Sequence, residues 1–332
     1  MYRVYLIDAE VFPLCEDVGI ETDVLKGIAG VSLVRIADES VLPDCVWDAD
    51  AVILSHFPQL SAAVLRRFQR LQMVVRNGVG FDNVDIEAAR ELGIPVCNVP
   101  DYGTEEVADH TLALTLALQR NVFPAFQDVR KGVWHWRIAE STRRLRGQRF
   151  GIVGAGRIGT ATALRAKAFG FEVQFFDPYV PSGYEKAIGV DRCRNLRDLL
   201  RTSDVVSLHC PLSEDTRGLI GRAELEQMKR GSFLINTARG PVIREKDLLA
   251  ALLSSHLGGV ALDVVEREPA FDEELLEFPN CLLTPHIAFY SRQSIVDMRT
   301  SSAQNVADTL KGGAPVNVVN QVKTKADSSR VI

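Results

Sequence analysis

The sequence predicts an α/β protein built on parallel sheets, and three observations lead to that fold class. Short apolar runs alternate with helix-compatible stretches along most of the chain. Two of these runs flank a Gly-x-Gly-x-x-Gly turn at residues 154–159. Polar residues gather directly after several other runs, at the strand ends where parallel sheets bind ligands. A length of 332 residues allows two such domains.

Composition excludes several classes of protein. The net charge of −5 offers no basic surface for nucleic acid or an anionic membrane. No apolar run approaches the roughly 20 residues that a membrane-spanning helix needs. The cysteines are scattered without a Cys-x-x-Cys pattern, and the N-terminus indicates a strand, not a signal peptide. We therefore predict a cytoplasmic protein with reduced thiols, and no cluster of metal ligands is apparent.

The first hundred residues predict a small parallel α/β unit. Its five strands are predicted at Val4–Ile7, Val31–Val34, Val52–Leu54, Met73–Val75 and Val96–Asn98. The stretch RNGVGFDN, residues 76–83, follows the fourth strand, and its glycines would expose backbone N–H groups that suit a carboxylate. From spacing alone, a plain strand-to-helix turn is the simpler interpretation.

Residues 101–131 predict an entry loop followed by one long helix with Thr104 at its N-cap. The run VADHTLALTLAL is apolar around most of its circumference, which favours burial between domains or subunits. The aromatic loop at residues 134–136 would cover a partner subunit or an active-site mouth, and simple packing is an equal alternative. The apolar helix predicts a homodimer.

Residues 149–177 give the strongest functional pattern, namely strand, glycine turn, helix and strand. Gly154 permits a tight turn, Gly156 lets the backbone approach a pyrophosphate, and Gly159 allows close packing of helix on strand. Asp177 ends the second strand, where its carboxylate can accept hydrogen bonds from an adenosine ribose. An ordinary glycine turn is the alternative, and the complete setting makes it the weaker one. The negative charge at Asp177 predicts NAD over NADP.

Four further apolar runs bring the predicted strands of this second domain to about six, the number in a doubly wound sheet. Arg239, Glu268 and His286 recur after these runs. An arginine can clamp a carboxylate, and a histidine can carry the proton that accompanies hydride transfer. A carboxylate beside that histidine would orient it and favour its protonated form. Singly, each residue has a simpler structural explanation, whereas together they favour an active site.

Five motifs carry a resemblance to the D-isomer-specific 2-hydroxyacid dehydrogenase family. They are RNGVGFDNVD (76–85), GIVGAGRIG (151–159), LINTARG (234–240), ALDVVEREP (261–269) and TPHIAFYS (284–291). Within that family, residues 164–179 and 286–299 are most similar to the C-terminal-binding protein branch of NADH-sensing corepressors and their bacterial relatives.

The resemblance implies an α/β fold of two Rossmann-like parallel-sheet domains. Residues 1–100 and 288–320 would form a flavodoxin-like, substrate-binding lobe. Residues 101–287 would form an inserted, doubly wound NAD-binding domain, and residues 321–332 a frayed tail. A cleft active site and a homodimer formed through the nucleotide domain are also implied.

Site residues follow from the resemblance motif by motif. Arg239 would bind the carboxylate and oxo group of the substrate, with His286 as proton donor and Glu268 as its partner. The other substrate-binding residues would be Arg76, Val79 and Gly80, the last two through backbone N–H groups. The implied cofactor contacts are Gly154, Gly156, Arg157, Ile158 and Gly159 at the pyrophosphate, Asp177 at the ribose, Cys210, Pro211 and Thr216 at the adenosine half, and Thr237, Ala238 and Asp263 at the nicotinamide end.

The implied function is an NAD-dependent oxidoreductase that interconverts a small 2-oxo acid and its D-2-hydroxy acid. Phe289 occupies a position at which the C-terminal-binding protein branch carries a tryptophan. The resemblance therefore does not identify the side chain of the substrate. A short phosphoglycerate or hydroxypyruvate/glyoxylate dehydrogenase is one alternative. An NADH-sensing binding or regulatory protein with little turnover is an alternative of another class.

Overall fold

The computed structural model describes residues 1–322, which form two compact units. Unit 1 consists of residues 1–103 together with the chain from Ser291 onward, and unit 2 is Thr104–Tyr290. The sequence predicted that the chain passes between the units after residues 100 and 287. In the structure it does so after residues 103 and 290, three residues later in each case. Most of the predicted tail, residues 323–332, lies outside the described residues.

Unit 1 contains a five-stranded parallel sheet in the order β2-β1-β3-β4-β5, the order of flavodoxin-like folds. Its strands are β1 (Tyr2–Ala9), β2 (Ala29–Ile36), β3 (Ala51–Leu54), β4 (Met73–Arg76) and β5 (Val96–Cys97), and its first helices are α1 (Gly19–Val24), α2 (Ala62–Leu65) and α3 (Ile86–Glu91). Every residue of β3 and β4 is buried, as expected for parallel strands covered on both faces.

Unit 2 contains a seven-stranded parallel sheet in the order β12-β11-β10-β9-β6-β7-β8. Its strands are β6 (Arg149–Val153), β7 (Glu172–Phe176), β8 (Asp191–Arg192), β9 (Val205–Leu208), β10 (Phe233–Asn236), β11 (Gly259–Leu262) and β12 (Cys281–Leu283). Counted within the unit from β8 to β12, the order is 3-2-1-4-5-6-7, which is the Rossmann order extended by one strand. The prediction of about six strands missed β8, because two polar residues at a sheet edge leave no apolar run.

The helices of unit 2 correct one prediction. They are α4 (Thr104–Gln119), α5 (Val122–Arg130), α6 (Arg157–Ala168), α7 (Tyr184–Ile188), α8 (Leu196–Thr202), α9 (Arg222–Gln227) and α10 (Glu245–Leu253). The single long helix predicted for residues 104–131 is wrong, since Asn121 adopts a left-handed conformation (φ 51°) between α4 and α5. Asparagine tolerates that region better than most residues do.

The apolar run of α4 is covered within the single chain. Leu112, Leu114 and Leu118 are buried in a core shared with the sheet of unit 2, and α4 packs on α6, β10 and β11. Its composition therefore does not require a second subunit, and that ground for predicting a dimer is wrong.

The last helix, α11 (Arg292–Leu310), returns the chain to unit 1, where it packs on α1, β3 and β4. Ser291 caps it by accepting a hydrogen bond from the N–H of Ser294 at 2.9 Å. Arg299 forms a bidentate ion pair with Glu21 of α1, at 2.8 Å and 2.6 Å, and both residues are buried. None of the helices within residues 1–322 combines the length and apolar character that crossing a bilayer requires.

Candidate active site

The glycine turn between β6 and α6 has the geometry that its sequence predicted. Gly154 has φ 94°, and a Cβ there would lie 2.9 Å from the backbone of His209 and Cys210. A Cβ on Gly159 would lie 2.0 Å from the carbonyl oxygen of Gly154. Gly156, by contrast, has open space around its Cα. The turn is therefore closely packed at Gly154 and Gly159, whereas the backbone at Gly156 is accessible to a ligand.

The N-terminus of α6 suits an anion. Gly156 is the N-cap and supplies no side-chain cap to this 12-residue helix, whose first residues are Arg157 and Ile158. Uncapped first-turn N–H groups and the positive end of the helix dipole favour a phosphate at this position.

Asp177 follows β7 and organises the loops on either side of it. Its Oδ2 accepts a hydrogen bond from the N–H of Ala155 at 2.8 Å, inside the glycine turn. Its Oδ1 accepts from Tyr179 and Val180 at 2.8 Å and 3.3 Å. A carboxylate offers about four lone-pair positions, so capacity remains for a ribose hydroxyl.

Arg192, on the edge strand β8, is a site residue that the sequence did not reveal. Its guanidinium donates to the carbonyl oxygens of Asp177 at 3.5 Å and Pro181 at 2.7 Å, and it pairs with Glu185 at 3.1 Å. It therefore fixes the loop that follows Asp177. The pairing with Glu185 offsets its positive charge.

His209, at the end of β9, is neutral. Burial lowers the pKa of His209 to about 3, and its Nε2 lies 2.8 Å from the hydroxyl of Ser207. Its Nδ1 is buried and has no hydrogen-bond partner within residues 1–322. A buried polar atom of this kind, behind the glycine turn, is one that a bound ligand can satisfy.

The loop after β9 contains three predicted adenosine contacts. Burial raises the pKa of the Cys210 thiol to about 11, so this side chain is an uncharged thiol near neutral pH. The hydroxyl of Thr216 donates to the carbonyl of Pro211 at 2.6 Å and accepts from the N–H of Ser213 at 2.8 Å. Thr216 therefore shapes the loop that presents Pro211. Together with the glycine turn and Asp177, these residues fit a dinucleotide.

His286 and Glu268 meet at the carboxyl ends of β12 and β11. The Nδ1 of His286 lies 2.6 Å from Oε2 of Glu268, and the two side chains are 16% and 19% exposed. The pair predicted from sequence is thus in direct contact and reachable from solvent. Nδ1 is therefore the nitrogen that contacts the carboxylate, and Nε2 lies across the ring from it.

Asp263, predicted to hold a nicotinamide, also builds the turn that carries His286. Its carboxylate accepts hydrogen bonds from the N–H groups of Ile287 at 3.0 Å and Ala288 at 2.9 Å. Its carbonyl accepts from the N–H of His286 at 2.8 Å. His286 has φ 54°, a left-handed conformation that non-glycine residues rarely adopt and that surrounding contacts must hold.

Arg239 lies just beyond the end of β10, next to β11 in the sheet. Asn236 donates to the carbonyl of Arg239 at 3.0 Å and accepts from the N–H of Ala238 at 3.0 Å, which fixes this loop. A Cβ on Gly240 would lie 1.7 Å from the carbonyl oxygen of Val265, so the loop presses on the segment that leads to Glu268. Arg239, Glu268 and His286 therefore follow three neighbouring strands.

In unit 1, the RNGVG loop is built around Arg76 at the end of β4. Arg76 is 5% exposed, and its guanidinium contacts the carbonyl of Asn77 at 3.0 Å and Nδ1 of His56 at 2.6 Å. Gly78 has φ 141°, and a Cβ there would lie 1.7 Å from Nη1 of Arg76. Only glycine lets the guanidinium fold back over the loop. The contact with His56 could not be predicted from the sequence, because no motif links His56 to Arg76.

Val79 and Gly80, the predicted carboxylate-binding positions, follow this arginine and are half-buried. The carbonyl of Val79 accepts a hydrogen bond from the side-chain amide of Asn98 at 2.6 Å. The N–H of Val79 takes no part in that bond. Asp85 then caps α3 through the N–H of Ala88 at 2.9 Å. The loop joins β4 to α3 with an arginine packed onto it, and the binding role of Val79 and Gly80 stays a prediction.

Fold and site together define a two-unit α/β protein with a dinucleotide-binding unit and a histidine–carboxylate pair at its strand ends. Residues 112–288 match the signature of the D-isomer specific 2-hydroxyacid dehydrogenase, NAD binding domain. The chain belongs to the D-isomer-specific 2-hydroxyacid dehydrogenase family, and unit 2 contains its NAD-binding domain.

Individual relatives share sequence along almost the whole chain. C-terminal-binding protein 1 of Caenorhabditis elegans is 36% identical over 93% of this chain and 44% of its own length. D-3-phosphoglycerate dehydrogenase of Methanocaldococcus jannaschii is 34% identical over 93% of this chain and 58% of its own. The chain thus spans about half the length of these two relatives.

A solved structure extends the similarity to the fold. D-lactate dehydrogenase from Aquifex aeolicus, complexed with NAD and lactic acid, superimposes with a TM-score of 0.84 at 30% identity, over 93% of this chain and 96% of that one.

Proposed function

We propose that this protein is an NAD-dependent oxidoreductase that interconverts a small 2-oxo acid and the corresponding D-2-hydroxy acid. The observation that carries this proposal is the 2.6 Å contact between His286 and Glu268 at the strand ends of unit 2. Arg239 follows the neighbouring strand β10. Family membership supports the same reaction class.

Each of the three side chains would have a defined role. The guanidinium of Arg239 would clamp the substrate carboxylate and polarise the adjacent oxo group. Bound NADH would supply the hydride. His286 would give the proton on Nε2 to the substrate oxygen during reduction and take it back during oxidation. Glu268, through its contact with Nδ1, would keep the ring oriented.

His209 offers a contrast that supports His286 as the proton donor. Both histidines follow strands of unit 2, but burial lowers the pKa of His209 to about 3. His209 is therefore not protonated near neutral pH. We assign it to the wall of the cofactor site.

Three further substrate contacts are proposed in the RNGVG loop of residues 76–80. We infer that the N–H groups of Val79 and Gly80 bind the carboxylate and that Arg76 faces the substrate. His56 would hold Arg76 in place, because its Nδ1 accepts from the guanidinium at 2.6 Å.

A panel of 2-oxo acids tests the proposal and identifies the substrate. We would follow NADH consumption with pyruvate, glyoxylate, hydroxypyruvate and phosphohydroxypyruvate, and confirm the D configuration of each chiral product (glycolate, from glyoxylate, is achiral). Steady turnover of at least one of them supports an enzyme. Tight NADH binding without turnover of any acid would favour the second candidate, an NADH-sensing binding protein, which the similarity to C-terminal-binding protein 1 supports.

Cofactor choice gives a first prediction. The carboxylate of Asp177 would repel the extra phosphate of NADP, and Arg192 is already paired with Glu185, so we expect a strong preference for NADH. Asp177→Ala should weaken NADH use and reduce the difference in kcat/KM between NADH and NADPH. Asp177→Asn should reduce the same difference with less damage to the glycine turn. Comparing kcat/KM for the two cofactors checks this. Equal values in the wild type would contradict it.

A second prediction concerns assembly, which we assign to α5 and the loop after it instead of α4. Phe123, Phe126 and Val129 on α5 are about half exposed, and Trp134 and Trp136 are 87% and 73% exposed. Exposed large apolar side chains concentrated in this short stretch of the chain favour a protein partner. We propose that a second copy of the chain covers it.

Phe126→Glu should therefore yield monomers at micromolar concentration, because a buried unpaired carboxylate would disrupt the interface. Light scattering gives the mass. Leu253→Glu is the matched control, since Leu253 is 71% exposed on α10 and should leave the dimer intact. A monomeric wild type, or a dimeric Phe126→Glu, would overturn the assignment.

A further inference from the structure

We infer that His110 is a positioning residue for His286, acting through Thr284 and Asp263. This inference rests on the proposed role of His286 as proton donor. His110 lies on α4, 176 positions before His286 (286 less 110), in the apolar run that the sequence assigned to packing alone. Its side chain is 21% exposed.

Two hydrogen bonds link His110 to Thr284 and Thr284 to Asp263, and the donor of each can be assigned. The Nε2 of His110 lies 3.1 Å from Oγ1 of Thr284 and 3.5 Å from Oδ1 of Asp263. The hydroxyl of Thr284 donates its only proton to Oδ1 of Asp263 at 2.6 Å. Its oxygen must therefore accept from His110, which places a proton on Nε2 of that ring. The order is His110 to Thr284 to Asp263.

Asp263 passes this constraint to the reacting histidine. Its carboxylate receives the N–H groups of Ile287 and Ala288, and its carbonyl receives that of His286. These bonds hold His286 at φ 54°. A shift of the Asp263 carboxylate would release the turn and, with it, the ring that faces Glu268. His110 therefore acts on that carboxylate at Oδ1, the oxygen to which Thr284 donates.

Helix α4 gives His110 a rigid base. It is a 16-residue helix packed on α6, and the next residue, Thr111, joins the sheet through Oγ1 of Thr237 at 2.9 Å. Two adjacent residues of one helix thus contact the segments after β10 and β12. A reactive group held from a rigid element keeps its geometry better than one held by a loop alone.

The test compares two substitutions at His110. His110→Phe removes the donor and keeps much of the ring volume, and we expect kcat for the 2-oxo acid to fall about 3- to 10-fold, as for one lost hydrogen bond. The Kd for NADH should stay unchanged. His110→Gln places an amide N–H at similar reach and should restore most of the loss. Rescue by glutamine separates the hydrogen bond from simple packing.

A double-mutant cycle tests the path. Thr284→Val should lower kcat by about tenfold, because it breaks both links of the chain. Adding His110→Phe to it should cost nothing more, since both changes remove the same contact. His256→Phe is the matched control: its Nε2 bonds the carbonyl of Met228 at 3.0 Å, before β11 at the opposite edge of the sheet. It should leave kcat unchanged.

Several results would overturn the inference. They are an unchanged kcat in His110→Phe, additive losses in the double variant, an equal loss in His256→Phe, or a rise in the Kd for NADH that matches the loss in kcat. If His110→Phe does not fold, His110→Asn, which lacks the reach, replaces it in the same comparison. An inactive wild type would refute the proposed function and the inference together, whereas an active wild type with an equally active His110→Phe refutes only the inference.

Discussion

Arg239→Ala is expected to abolish most turnover of 2-oxo acids while NADH still binds. The guanidinium would lose a charge-assisted contact to the substrate carboxylate, and breaking such a buried pair costs about 2–5 kcal/mol. That corresponds to about 30- to several-thousand-fold in kcat/KM. The loop after β10 should survive, because Asn236 fixes it through backbone groups, the carbonyl of Arg239 and the N–H of Ala238, each at 3.0 Å. Steady-state kinetics and NADH fluorescence titration measure the two effects.

Arg239→Lys should not restore full activity, since a single ammonium cannot reproduce the planar fork that grips a carboxylate. Arg222→Ala is the matched control, because Arg222 lies on the same unit with its side chain 70% exposed. We expect the control to behave as wild type. Near wild-type kinetics in Arg239→Ala would remove this residue from the substrate site.

Glu268→Gln should lower the reductive rate near neutral pH by a factor of about 10²–10⁴ if the whole acid contribution is lost. The carboxylate lies 2.6 Å from Nδ1 of His286, where it would orient the ring and balance the positive charge that the ring carries before it gives its proton to the substrate. An amide keeps much of the shape but not the charge, so the reductive and the oxidative rates should both fall. Steady-state kinetics in the two directions measure the effect.

Glu266→Gln provides the control for this experiment. Glu266 lies two positions earlier, is exposed, and accepts a hydrogen bond from the N–H of Glu245 at 3.3 Å. The same chemical change there should leave the rates in both directions unchanged. A Glu268→Gln enzyme as fast as the wild type in both directions would show that Glu268 does not act on His286.

The parts of the site that the sequence predicted are those coded by short, local patterns. Gly154, Gly159 and Asp177 belong to one strand–turn–helix–strand unit, so their spacing carried the geometry. Glu268 and His286 were placed near each other because parallel strands end at one edge of a sheet, and the family resemblance implied that they are partners. Both predictions depend on topology that the alternation of apolar runs already indicates.

The parts that sequence reasoning missed depend on contacts between distant positions. His110 and Thr284 are 174 positions apart, and no pattern links them. Arg192 lies on a two-residue strand with no apolar run. The break at Asn121 and the burial of α4 within one chain reflect tertiary packing, which overrides local helix propensity.

The most direct test of the central proposal is hydride transfer to a 2-oxo acid by the wild type and by His286→Asn, measured side by side. We expect the wild type to convert NADH and the best acid of the panel into equal amounts of NAD and D-2-hydroxy acid. His286→Asn should bind NADH with an unchanged Kd and reduce the acid about 10²–10⁴ times more slowly. A wild type that leaves every 2-oxo acid unreduced, or a His286→Asn enzyme as fast as wild type, would contradict the proposal.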